Sequence, residues 1–82
     1  MPVSHDIAEQ LAKIDTQIID LLAERMNFCR KALEEDEEAF DAAGLAEIAG
    51  LWDEEADGRG LNLGVMSQIC KLVIKLCRAT EE

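Results

Sequence analysis

Apolar residues recur along the first third of the chain at Ile7, Leu11, Ile14, Ile18, Leu21, Phe28 and Ala32, in alternating steps of four and three once position 25 is counted. That spacing draws one stripe down an α-helix. No glycine or proline breaks the run, so a single helix is expected from a Ser4 cap to Ala32 or Leu33, with Asp6 favourable at its positive end. About 30 residues at 1.5 Å each make a helix of about 45 Å. A compact chain of this size has a radius of gyration of only about 12 Å. The helix is too long to be covered by its own chain. An intertwined or side-by-side homodimer, in which a second copy buries the rest of the stripe, is the expected remedy.

Position 25 belongs to the stripe, and there the residue is arginine. A guanidinium on an apolar seam must reach water or an anion, because an unpaired buried charge is very costly. Its partner is either an acid of this chain or a bound acidic ligand.

Beyond the first helix, Glu34 to Glu38 read EEDEE. Like charges this close repel, so the helix frays here or the run forms a solvated bend. Phe40 and Ala42 to Ala56 give a second helical segment, with Leu45, Ile48, Leu51 and Trp52 at apolar spacing and Trp52 read as its core anchor. Gly44 and Gly50 weaken it by about 1 kcal/mol each. Asp57-Gly58-Arg59-Gly60 reads as a turn. The acids from Asp53 onward imitate a calcium loop, but Gly64 stands where the bidentate glutamate is required. Asn62 then caps a third helix from Leu63 to about Thr80, with Met66, Ile69, Cys70, Val73, Leu76, Cys77 and Thr80 on one face. Lys71, Lys75 and Arg78 make a basic stripe on another, read as solvated surface, with Arg78 paired to Glu82. The result is one all-α domain over residues 1–82: three helices, the first much the longest.

Composition narrows the partners. The net charge is −10, from 18 acids and 8 bases, which disfavours nucleic acid and anionic membranes. Only 4% of residues are aromatic while 49% are hydrophobic, which suits an aliphatic helical core. Cys29, Cys70 and Cys77 match neither a zinc knuckle nor a secreted disulfide framework, so reduced, buried thiols are expected. No catalytic histidine stands near Cys77, since His5 is the sole histidine. No signal-peptide pattern opens the chain and no apolar run approaches a membrane span. A cytoplasmic location, with neither metal nor cofactor, is the expectation.

Ile14-Asp15, Leu21-Leu22-Ala23-Glu24-Arg25 and the segment from Gly60-Leu61-Asn62 through Val73-Ile74 to Glu81 resemble the all-helical chorismate mutase family, the AroQ class. The resemblance implies a chorismate mutase type II-like fold, an intertwined homodimer, and cofactor-free rearrangement of chorismate to prephenate. A related branch carries isochorismate pyruvate lyase chemistry. The family's site clamps two carboxylates with cations and stabilises the charge developing on the ether oxygen.

Carried over residue by residue, the family's arginine in the middle of helix 1 falls on Arg25. Its serine and glutamine on helix 3 fall on Cys77 and Glu81. Its early helix 1 arginine falls on Ala8, and its lysine falls near Asp36, which would share the Arg25 face if the helix persisted. The helix 2 arginine has no counterpart, because no arginine lies between Arg30 and Arg59. Arg25, Cys77 and Glu81 are thus the candidate ligand-binding residues, and the catalytic ones if the chain is active. A pocket with one cation and one or two carboxylates repels a dicarboxylate. Each lost charge-assisted bond is worth about 1.5–3 kcal/mol, so losing three costs orders of magnitude in rate. Arg25 then pairs internally with Glu81 or Asp36. The favoured reading is a dimeric scaffold, regulatory or protein-binding module that kept the fold and lost the site. The alternative is a divergent enzyme on chorismate or isochorismate that recruits Arg30, Lys31 or Arg59.

Overall fold

The computed structural model describes residues 5–78, which form three helices: α1 (His5–Glu35), α2 (Ala42–Gly58) and α3 (Leu63–Arg78). The expected Ser4 cap and Thr80 lie outside the described residues. α1 runs 31 residues and accounts for most of the 49 Å long axis. The radius of gyration is 15.5 Å, well above the compact value of about 12 Å.

The acidic run does not stop α1 at Leu33. The helix continues to Glu35, and Asp36 then ends it. The Asp36 amide still bonds Ala32 O at 2.9 Å, while its Oδ1 accepts the Glu38 amide at 2.9 Å and its carbonyl accepts the Ala39 amide at 3.0 Å. An aspartate that folds its carboxylate onto the next turn is a typical helix-breaking device.

Phe40 lies in the turn before α2, not in the helix. Asp41 caps α2, its Oδ1 accepting the Gly44 amide at 2.9 Å. Gly44 has a local reason to be glycine: an added Cβ would sit 3.3 Å from Ala39 O. α2 ends later than the sequence suggested, because Asp57 and Gly58 are still helical. The reversal is carried by Gly60 at φ +69°, with Leu61 N bonding Ala56 O at 3.0 Å and Gly60 N bonding Asp57 O at 3.2 Å. This crossed pair is a Schellman ending, which needs a left-handed residue after the cap. Asn62 caps α3 as expected, Oδ1 accepting the Val65 amide at 2.9 Å.

α3 is the hub. Its backbone packs against both α1 and α2, whereas the α1 and α2 backbones do not meet. The buried apolar set among the described residues is small: Cys29, Ala56, Cys70, Val73 and Cys77. The α1 stripe is uncovered, with Ile7, Leu11, Ile14, Ile18 and Leu21 still 48–63% exposed. A second stripe on α3, at Val65, Ile69, Leu72 and Leu76, also faces outward.

The cysteines are buried as expected, but two of them are not thiols. Cys29 and Cys77 form a disulfide across the α1–α3 contact, with Cα atoms 5.9 Å apart, and Cys70 alone stays free. Spacing along the sequence could not disclose this, because the two positions are 48 residues apart and meet only through helix packing. No helix of the described residues is long and apolar enough to cross a membrane.

Candidate functional site

Of the residues singled out by the sequence, Arg25 and Cys77 meet at the α1–α3 contact. Arg25 sits half-buried on α1, one turn before Cys29. Around it stand Cys29, Phe40, Leu45, Ile48, Ile74, Cys77 and Arg78, which border a narrow cavity of only ≈10 Å³. That is room for about one water molecule, against about 300–1,000 Å³ in ordinary ligand sites. Toward solvent, Arg25, Phe28, Cys29, Ala32 and Phe40 line an open groove of ≈350 Å³.

Local rules explain how this lid forms. Phe40 directly precedes the Asp41 cap and Leu45 is the fourth helical residue of α2, the spacing of a hydrophobic staple. Both border the same cavity. The staple folds the loop after α1 back over Arg25. Arg78 strengthens the fold: its Nη2 donates to Phe40 O at 2.9 Å, across 38 residues. Arg78 is exposed, as the reading of a solvated basic stripe expects, and in addition it straps the α1–α2 loop to the end of α3. Its supposed partner Glu82 lies outside the described residues.

Of the two intramolecular acids proposed for Arg25, only Asp36 falls within the described residues, and it is not on the guanidinium. Asp36 is beyond the end of α1, and its carboxylate is turned to the Glu38 amide. Glu81 lies outside the described residues. Among the described residues, no ion pair or hydrogen bond engages the Arg25 guanidinium. Its field nonetheless reaches Cys70. Burial pushes that thiol above its ordinary value of 9.0, Arg25 opposes the shift, and Asp53 adds to it. A buried thiol of raised pKa is unreactive. Cys77, placed by the resemblance where the family has a serine, has its sulfur in the bridge to Cys29 and no S–H to donate.

The substitute cations fare unevenly. Arg59 is at the far end of α2, its guanidinium on the Glu55 carboxylate and, at 3.0 Å, on the Glu55 carbonyl. Arg30 is half-buried and has a partner of its own. Lys31 is exposed. The second cation that does border the Arg25 cavity is Arg78, which is exposed at its rim. Phe40 and the Arg78 strap were the residues missed. The staple spacing was a readable signal for the first, and nothing in the sequence signalled the second.

Trp52 is half-buried between α2 and α3. It lines an open groove of ≈290 Å³ with Leu51, Glu55, Arg59, Leu61 and Met66, and a smaller cavity beside Cys70. No cluster of histidine, cysteine, aspartate and glutamate among the described residues could hold a metal.

A long first helix with a mid-helix arginine, a third helix packed on it and a shorter second helix packed on the third define a small all-helical domain of chorismate mutase architecture. Residues 7–82 match the sequence profile described as chorismate mutase type II, and the chain belongs to that family. No curated protein and no solved structure matches it.

Proposed function

We propose that the chain is a non-catalytic member of its family: a homodimeric helical module with a scaffold, regulatory or protein-binding role. The observation that carries this reading is the narrow cavity of ≈10 Å³ at Arg25, bordered by Phe40, Leu45, Ile48, Ile74 and the Cys29–Cys77 bridge. A dianion of chorismate's size has no space there. The charge balance supports the same reading. Ala8 and Asp36 stand where the resemblance calls for cations, and α2 contains no arginine. The electrostatic clamp that would lower the barrier is missing most of its parts.

A second reading rests on one observation. Arg25 has no partner among the described residues and borders an open groove of ≈350 Å³, with Arg78 close behind it. A divergent enzyme could hold chorismate or isochorismate against that groove. Incubation with chorismate, following its absorbance, separates the two. The module reading expects no loss above the uncatalysed rate. Turnover that disappears in Arg25→Ala would overturn it.

A further inference from the structure

The Cys29–Cys77 bridge borders the narrow cavity, and Cys29 lines both that cavity and the groove. Arg25, one turn earlier on α1, also lines both, and Arg78 follows Cys77 directly on α3. Cationic neighbours favour the thiolate form of a sulfur and so make it a better leaving group in disulfide exchange. Among the described residues, the loop is strapped by the Arg78–Phe40 hydrogen bond, and the helix whose backbone packs against α1 is α3.

We propose that Cys29–Cys77 is a redox latch on the Arg25–Arg78 cavity: reduction opens the cavity to a small organic acid bearing carboxylates, and oxidation shuts it. The proposal rests on the module reading above, in which the oxidised chain binds no such acid. The exchange needs a dithiol reductant. One of its thiolates attacks Cys29 Sγ from the groove, the S–S bond breaks, and Cys77 leaves as a thiolate beside the two guanidinium groups. Cys77 then takes a proton. The reductant's second thiolate attacks its own sulfur in the mixed disulfide and releases Cys29, which is protonated in turn. Two electrons and two protons pass to the protein, and the reductant ends as a cyclic disulfide. With the bond cut, the end of α3 can part from α1. Arg25, Arg78 and a new Cys77 S–H then face the same space.

The test uses the full chain, oxidised and after dithiothreitol, titrated calorimetrically with chorismate as the probe. Helicity is followed by circular dichroism, and prephenate formation is followed separately. Alkylation should count one free thiol before reduction and three after it. The latch expects no binding in the oxidised chain and affinity at least tenfold higher in the reduced chain, reversed on reoxidation. The Cys29→Ser/Cys77→Ser variant should bind without reductant, and Arg25→Gln should weaken binding by the reduced chain at least tenfold. Should the double variant not fold, the titration of the unaltered chain decides. Equal affinity in both states, binding in neither, or loss of helicity on reduction overturns the latch. Binding in neither state leaves the non-catalytic reading standing. Prephenate formed only after reduction supports the latch and overturns that reading.

Discussion

Arg25 brings a full charge to a wall otherwise made of Phe28, Cys29, Ala32 and Phe40. The residue is half-buried among those side chains. An arginine can lay its apolar stem on such a wall with its head in water, an arrangement that needs no counter-ion. This separates it from a buried ion pair, in which removing one partner costs about 3–5 kcal/mol. Arg25→Met should therefore change the unfolding free energy in urea by less than about 1 kcal/mol, in either direction. A loss of several kcal/mol would restore an internal partner such as Glu81. Cys70 offers a second measurement at this scale. Burial raises its thiol pKa, so the folded chain holds this proton more tightly than the unfolded one. The associated stability is fully present below the unfolded value near 9.0 and is lost as pH rises through the higher folded value. Stability measured from pH 8 to 10.5 should fall, and Cys70→Ala should flatten that fall. Iodoacetamide should label Cys70 at pH 8 far more slowly in the native chain than in urea.

The helices end by short-range chemistry, and that part was largely readable. Asn62 caps α3 where expected, and the α1 stripe keeps its period through 31 residues. The end of α2 was placed too early because Asp57-Gly58 looks like a turn, whereas the conformational demand falls on Gly60. Two glycines test this distinction. Gly50 is inside α2 with nothing within 4 Å of an added Cβ, so Gly50→Ala should stabilise by about 0.5–1 kcal/mol. That corresponds to a rise in Tm of about 2–8 °C for a domain of this size. Gly60→Ala should do the reverse, by about 1–2 kcal/mol, because φ +69° penalises any Cβ. Thermal melts of both variants check the pair. What the sequence did not disclose depends on contacts between helices. The Cys29–Cys77 bridge and the Arg78–Phe40 strap span 48 and 38 residues, and periodicity along one helix holds no information about which neighbour it meets. The candidate site was thus legible in Arg25 and illegible in what closes over it.

As a whole, the protomer is a rod with too little interior. Its described residues extend 49 × 30 × 18 Å, and three of its five buried apolar residues are cysteines. A single core in a domain this small gives only marginal stability. The bridge over a 48-residue separation can add about 4 kcal/mol by restricting the unfolded chain. That still leaves Ile7, Leu11, Ile14, Ile18 and Leu21 on α1, and Val65, Ile69, Leu72 and Leu76 on α3, facing water along two helices. Two continuous apolar stripes are more than a monomeric surface ordinarily carries, and a second copy would supply a complementary pair by two-fold symmetry. A dimer of this kind makes stability depend on protomer concentration. The melting temperature should therefore rise as the protein is concentrated, and sedimentation should give twice the 9.1 kDa protomer mass. Ile14→Glu places a charge in the middle of the α1 stripe, where the protomer itself makes no use of the side chain. It should convert the dimer to a less stable, partly unfolded monomer whose melting no longer responds to concentration. A wild-type chain that sediments as a monomer and melts at one temperature throughout would show that some other partner, or none, covers the stripe.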